Sequence, residues 1–205
     1  MGKIIKNAII LTLITLISGL ALGAVYEITK DPIAVAQENT KQEAYKAVLS
    51  DAVEFESYES FDASEAAKVL ADAGFTNDVV DEVAVALDAS GEAMGYVVTV
   101  TSKEGYGGEI KISTGIDAEG TVKGISILSI SETAGLGMKA TEEEFQSQFR
   151  DKAVEQFEYT KSGASADNQI DALSGATITT NAVTNDVNAA LTYYQMVLGG
   201  GNTNE

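Results

Sequence analysis

From Asn7 to Tyr26 the chain runs for twenty residues without a charge, mostly Ile, Leu and Ala. As an α-helix rising about 1.5 Å per residue, this run spans about 30 Å, the hydrocarbon thickness of a bilayer, and it is read as a transmembrane helix. Thr12, Thr15 and Ser18 inside it can bond back to helix carbonyls. Gly19 and Gly23 form a small-xxx-small pair that permits close helix packing in lipid, with chance glycine usage as the alternative. Lys3 and Lys6 precede the run and acids follow it, so the positive-inside rule places the N-terminus in the cytoplasm and residues 31–205 outside. A cleaved signal peptide ending near Ala21 and Gly23 is the competing reading, but the run exceeds the roughly 7–15 apolar residues of an ordinary signal sequence. No Cys follows, which excludes a lipoprotein anchor.

The remaining sequence faces a different environment. The 205 residues carry 31 acids and 13 bases, a net charge of -18. Residues 1–30 contain three Lys and one Glu, which leaves ten bases against thirty acids in residues 31–205. Such a surface repels phosphate backbones and excludes non-specific nucleic-acid binding. The chain has no Cys, His or Trp. Thiolate nucleophiles, disulfides, His-based zinc sites, haem-ligating His and Ser-His-Asp triads are therefore excluded. Redox or acid-base chemistry must come from carboxylates, hydroxyls, Lys, Tyr or a borrowed cofactor. The acidity itself is read as solubility and self-repulsion, and Glu142–Glu144 as acids complementing a helix start, so no metal ligand is expected.

Residues 34–50 are rich in helix formers and follow Pro32, which predicts a juxtamembrane helix. A second helix is expected over 64–73, capped by Ser64 and closed at Gly74. Alternating or β-branched runs then predict strands over 82–87, 93–101, 109–114 and 122–128, separated by turn residues at Ser90-Gly91, Gly105–Gly108 and Asp117–Gly120, which is an antiparallel meander. Thr141 with Glu144 has capping-box spacing, predicting a helix over 141–150. A strand is expected at 157–159 and a last helix over 181–197, ended by Gly199–Gly201 and followed by a flexible tail. The fold class is α+β: an antiparallel sheet with packed helices, preceded by one N-terminal transmembrane helix.

Three clusters of small residues interrupt these elements: Gly105-Tyr106-Gly107-Gly108, Glu132-Thr133-Ala134-Gly135-Leu136-Gly137, and the stretch from Asp171 to Thr180. Glycine lets backbone approach a planar or phosphorylated ligand, so each could line a site. Each also has a purely structural reading, as a hairpin loop, a strand-to-helix connection and a capping loop. The third directly precedes the last helix, whose N-terminus offers unpaired N–H groups and a positive dipole end. A phosphate attached to a hydroxyl there needs no basic neighbour, which suits a chain with one Arg.

The string Asp171-Ala172-Leu173-Ser174-Gly175-Ala176-Thr177 resembles the flavinylation motif of the FMN-binding domain family, in which the Thr closing an S/T-G-A-T tetrad carries FMN through a phosphoester. The two upstream clusters resemble the family's other motifs, in the same order. In layout the chain is similar to the G subunits of Rnf complexes, the ion-translocating ferredoxin:NAD+ oxidoreductases. The resemblance implies that Thr177 is the covalent FMN acceptor, loaded by a separate flavin transferase that uses FAD and a metal ion. It implies further that Asp171, Ser174, Gly175 and Ala176 are read by that transferase or hold the phosphate. Thr180, Tyr106, Gly107, Glu132, Thr133, Gly135, Leu136 and Gly137 complete the expected cofactor site, with Tyr106 or Leu136 against the isoalloxazine ring. A threonine hydroxyl is a poor nucleophile unaided, in keeping with an external enzyme. The chain departs from the family at Glu109 and Ala134, where relatives often have Pro, and at Ile130, where a His is common.

By this resemblance residues 1–30 are the anchor, 31–80 a juxtamembrane helical region, 81–198 the FMN-binding domain and 199–205 the tail. The implied function is electron relay through FMN toward NAD+ within a membrane complex that moves Na+ or H+, with the complex's other membrane subunits as partners and no substrate site of its own. Two alternatives stay open: the C subunit of a Na+-translocating NADH:quinone oxidoreductase, and a non-redox binding module on a membrane stalk.

Overall fold

Strands are carried here by β-branched residues whose period-two pattern gives each strand two usable faces, and both faces are covered. The computed structural model describes residues 2–199; the expected tail from Gly200 onward lies outside them. The chain divides into two units, Met1–Lys41 and Gln42–Glu205.

Helix α1 (Gly2–Val48) takes in the apolar run and continues through Pro32. The sequence predicted a break there and a new helix at 34; instead the helix formers on both sides carry the helix across the lost amide. The hydroxyls behave as expected, with Thr12 Oγ1 donating to the Ala8 carbonyl at 3.0 Å and Thr15 Oγ1 to the Thr12 carbonyl at 3.0 Å. Its apolar stretch is long enough to cross a membrane, and Ile9, Leu13, Leu16 and Leu20 are all exposed.

In the second unit, β1 (Glu54–Ser57), β2 (Asp78–Leu87), β3 (Ala93–Ser102), β4 (Ile110–Asp117) and β5 (Val122–Ser129) form a five-stranded antiparallel sheet in sequence order. The meander is the predicted one with β1 added at its edge; β1 has too few apolar residues to announce itself. Helix α2 (Ala63–Asp72) is capped not by Ser64 but by Asp62, whose Oδ1 accepts the Ser64 amide at 2.7 Å and the Glu65 amide at 3.0 Å.

The predicted helix over 141–150 is reduced to α3 (Glu143–Gln146) between two 3-10 turns, Gly137–Thr141 and Ser147–Phe149. Thr141 Oγ1 donates to the Met138 carbonyl instead of forming a capping box. Packing overrides local preference here: Phe145, Phe149 and Phe157 stack edge to face at 5.8 and 5.0 Å, which fixes the turns around them. Short parallel strands β6 (Glu158–Thr160) and β7 (Gln169–Asp171) follow.

Helix α4 (Thr177–Tyr193), extended by a π-helical turn at Tyr194–Leu198, begins four residues before the predicted start. Its buried Ala182, Val183, Val187, Ala190 and Leu191 pack on the sheet face carrying Val98, Val100, Ile112 and Ile116. On the other face Tyr45, Val48, Leu49 and Ala52 cover Ala84, Ala86 and Val97. The fold is thus α+β, an antiparallel sheet between helical layers.

Candidate functional site: one cleft built from three loops

The β3–β4 hairpin, the segment after β5 and the loop before α4 meet in a cleft of about 570 Å³, lined by residues from all three small-residue clusters. The second loop is the keystone. Glu132 Oε1 accepts the Gly107 amide at 3.2 Å, tying the hairpin to it. The Thr133 carbonyl accepts the amides of Leu136 (3.1 Å) and Met138 (3.2 Å), which closes the turn carrying Leu136.

Gly137 presses this loop against the first turn of α4. A Cβ at that position would lie 2.5 Å from Thr179 Oγ1 and 2.7 Å from Glu132 Oε2. Gly175 holds a φ of 74°, open to glycine without strain, and faces Leu136.

The α4 N-terminus forms the floor. Ala176 occupies the N-cap position, where no side chain caps the helix. The first helical bond is the Thr180 amide to the Ala176 carbonyl at 3.0 Å. The amides of Thr177, Ile178 and Thr179 precede it and have no intrahelical acceptor. Thr177, half-buried on the cleft wall, therefore carries its hydroxyl at a helix end suited to a negative charge. Among the described residues, Glu132 is the only charged side chain in the lining. Tyr106, 72% exposed, stands at the rim with Leu136 and Ile178.

Of the residues expected at the site, Tyr106, Glu132, Thr133, Leu136, Gly137, Gly175, Ala176 and Thr177 line the cleft. Gly107 contributes through its amide, and Gly135 through the turn it makes at φ 76°. Thr180 lies behind the cleft, fully buried: its hydroxyl donates to the Ala176 carbonyl at 2.9 Å and accepts the Leu173 amide at 3.0 Å. Asp171 and Ser174 line a separate recess of about 210 Å³ with Lys139 and Gln148. There Gln148 Oε1 accepts the Asp171 amide and Asp171 Oδ1 the Ala164 amide, each at 2.6 Å. Ile178 and Thr179, expected only as part of the Asp171–Thr180 cluster and not as individual cofactor contacts, also line the cleft; starting the helix at Thr177 would have placed both in its first turn.

A flavin mononucleotide fits what this lining offers. Unpaired helix amides suit a phosphate, apolar side chains suit a tricyclic ring, and the volume is that of a small-molecule cleft. The fold and cleft are those of a flavin-binding module: the profile described as FMN-binding domain matches residues 105–192, and one described as RnfG N-terminal region matches residues 1–48. The chain is 32% identical to the G subunit of the Na(+)-translocating ferredoxin:NAD(+) oxidoreductase complex of Acetobacterium woodii, covering 94% of this chain and 92% of that one. It is 32% identical to the G subunit of the proton-translocating ferredoxin:NAD(+) oxidoreductase complex of Clostridium ljungdahlii, over 93% and 91%. It is 31% identical to the G subunit of the ion-translocating oxidoreductase complex of Methanosarcina acetivorans, over 93% and 94%. The chain belongs to this family of G subunits, and with its apolar α1 it is a membrane protein.

Proposed function

We propose that this chain is the FMN-carrying electron-transfer subunit of an Rnf-type ion-translocating ferredoxin:NAD+ oxidoreductase, with the flavin joined to Thr177 Oγ1 by a phosphoester. The observation that carries the reading is the convergence of three separate motifs on one cleft with Thr177 at the open N-terminus of α4. A flavin held there supplies the electron-carrying chemistry that the side chains of this chain lack.

The protein's own contribution is positioning. The amides of Thr177, Ile178 and Thr179 would stabilise the single negative charge of the phosphodiester, and Tyr106, Leu136 and Ile178 would give the ring apolar contact. Glu132 holds the hairpin in place through the Gly107 amide. Attachment itself falls to a flavin transferase using FAD. Thr177 Oγ1 would take the FMN phosphoryl group from FAD as the pyrophosphate P–O bond breaks, with AMP as the leaving group and the hydroxyl proton passing to a base on the transferase. Asp171 and Ser174, on their own recess beside the acceptor loop, are the residues the transferase reads. By the positive-inside rule, Lys3 and Lys6 support an N-terminus in the cytoplasm and a flavin domain outside, beside the other membrane subunits of the complex.

The quinone-reductase C subunit is less well supported, because the anchor region itself matches the RnfG N-terminal profile and the relatives from ferredoxin:NAD(+) oxidoreductase complexes are covered over nine-tenths of their length. Intact mass of the full chain co-produced with a flavin transferase tests the attachment. A gain of one FMN unit that survives denaturant and disappears in Thr177→Ala is expected. Retention of the adduct in Thr177→Ala would move the acceptor, with Thr179 the first candidate because it alone of the neighbouring threonines lines the cleft.

A further inference from the structure

Halfway along α4, on the side turned to the sheet, Asp186 is 0% exposed and neither carboxyl oxygen has a hydrogen-bond partner. Asp78, which opens β2, is 6% exposed and its Oδ1 is likewise without a partner. The two acids belong to packed layers: α4 lies across β2, β3 and β4, and Asp78 pairs in register with the buried Ser102 of β3. The Ser102 amide faces Asp186 without closing a hydrogen bond, and its hydroxyl faces Asp78.

The charges around this pair do not neutralise it. From β2, Asp81 adds a further negative charge, but it is engaged by Thr101 Oγ1 at 2.6 Å and by Lys111 Nζ at 3.1 Å. Lys111, from β4, is the cation facing Asp186 and is already paired with Asp81. Glu104, just beyond β3, faces Asp78 and is held by Asn77 at 2.9 Å and by Asn185, the neighbour of Asp186, at 2.8 Å. Two buried carboxylates that share no cation of their own among the described residues cannot both stay ionised in a low-dielectric layer.

We propose that the Asp186 carboxyl, buried without a partner where α4 crosses the sheet, is a proton-binding site that holds its proton at neutral pH, and that this proton closes the layer between α4 and the sheet. It would sit on the same helix that presents Thr177, and the inference stands whether or not Thr177 carries a flavin. Burial first, and then the negative charge of Asp78, drive the Asp186 carboxyl well above the usual carboxylate range; burial likewise raises Asp78. A carboxyl raised on folding contributes stability that is complete at acid pH and is lost as pH rises through its folded-state value.

Infrared spectra of the full chain in detergent, together with denaturant unfolding of wild type, Asp186→Asn and Asp78→Asn, test the site. A protonated-carboxyl carbonyl stretch is expected at neutral pH in wild type, lost in Asp186→Asn and retained in Asp78→Asn, where burial of Asp186 persists. For one linked proton, the wild-type unfolding constant rises by up to about tenfold per pH unit above roughly pH 5, and Asp186→Asn, which fixes the neutral form, flattens that slope. Should Asp186→Asn not fold, Asp78→Asn removes the second cause of the raised Asp186 carboxyl, and the sloping range should then end at a lower pH than in wild type. Absence of the stretch in wild type, equal pH slopes in all three proteins, or an unfolding midpoint that follows Na+ concentration and not pH would each overturn the proposal.

Discussion

Adding a single methyl group at Gly137 is the sharpest probe of how the cleft is built. Its Cβ would meet Thr179 Oγ1 at 2.5 Å, Glu132 Oε2 at 2.7 Å and Glu132 Cβ at 2.8 Å, all inside contact distance. These are not free side-chain ends: Thr179 is buried in the first turn of α4, and Glu132 is fixed by the Gly107 amide. Gly137→Ala therefore forces the second loop away from α4, an overpacking cost of about 1–3 kcal/mol. That raises the unfolding constant roughly 5- to 150-fold and lowers the midpoint by roughly 2–12 °C in a domain of this size. Gly124→Ala is the matched control, since its Cβ finds only Val48 Cα at 3.8 Å, ordinary contact, and should be near neutral. Combining Gly137→Ala with Thr179→Ala removes the shortest clash and should restore part of the loss, while the Glu132 contacts remain. The assay is unfolding of the full chain in detergent followed by far-ultraviolet circular dichroism, with flavin loading by the transferase measured in parallel. A Gly137→Ala protein as stable and as readily loaded as the Gly124→Ala control would refute the claim that this close approach shapes the cleft.

Two further outcomes follow from particular contacts. Asn188 Oδ1 accepts the Phe157 amide at 2.8 Å and its Nδ2 donates to the Phe157 carbonyl at 2.9 Å, both buried, so Asn188→Ala strands two backbone groups at a cost of roughly 2–6 kcal/mol. Faster hydrogen exchange at Phe157 would locate that loss, and unchanged exchange would count against it. On the acid side, hydrogen bonds from Ser64 to Asp62 and from Ser90 to Asp88 hold both carboxyls below their ordinary values. Their contribution is present above the unfolded-state value of about 3.9 and is lost as pH falls through the folded-state values. Denaturant midpoints should therefore drop in strong acid, with a shallower drop in Asp62→Asn.

The sequence made the meander legible because β2 to β5 are long, apolar and separated by Asp- and Gly-bearing turns, signals that neighbours cannot easily overrule. It placed the start of α4 wrongly because Thr177-Ile178-Thr179-Thr180 reads as loop by composition. Inside the fold, Thr180 bonds back to the Ala176 carbonyl and Thr184 to the Thr180 carbonyl, so buried hydroxyls that would compete with a helix elsewhere support this one. The same error left Ile178 and Thr179, which line the cleft, out of the residues expected there. Thr141–Arg150 failed for the opposite reason: strong local helix signals yielded to the stacked phenylalanines, whose partner Phe157 lies outside that segment.

By itself the sequence determined the membrane-length apolar run, the acidic domain, the succession of β2 to β5 and the three clusters of small residues, since each depends on composition or spacing within a short window. Tertiary structure alone decided that three loops share one cleft, that Gly137 touches Thr179, that Thr180 is a structural clasp, and that Asp186 is buried without a partner. Those facts depend on where α4 crosses the sheet, and that crossing is set by the summed packing of many apolar side chains from separate elements, information that no local stretch of the chain contains.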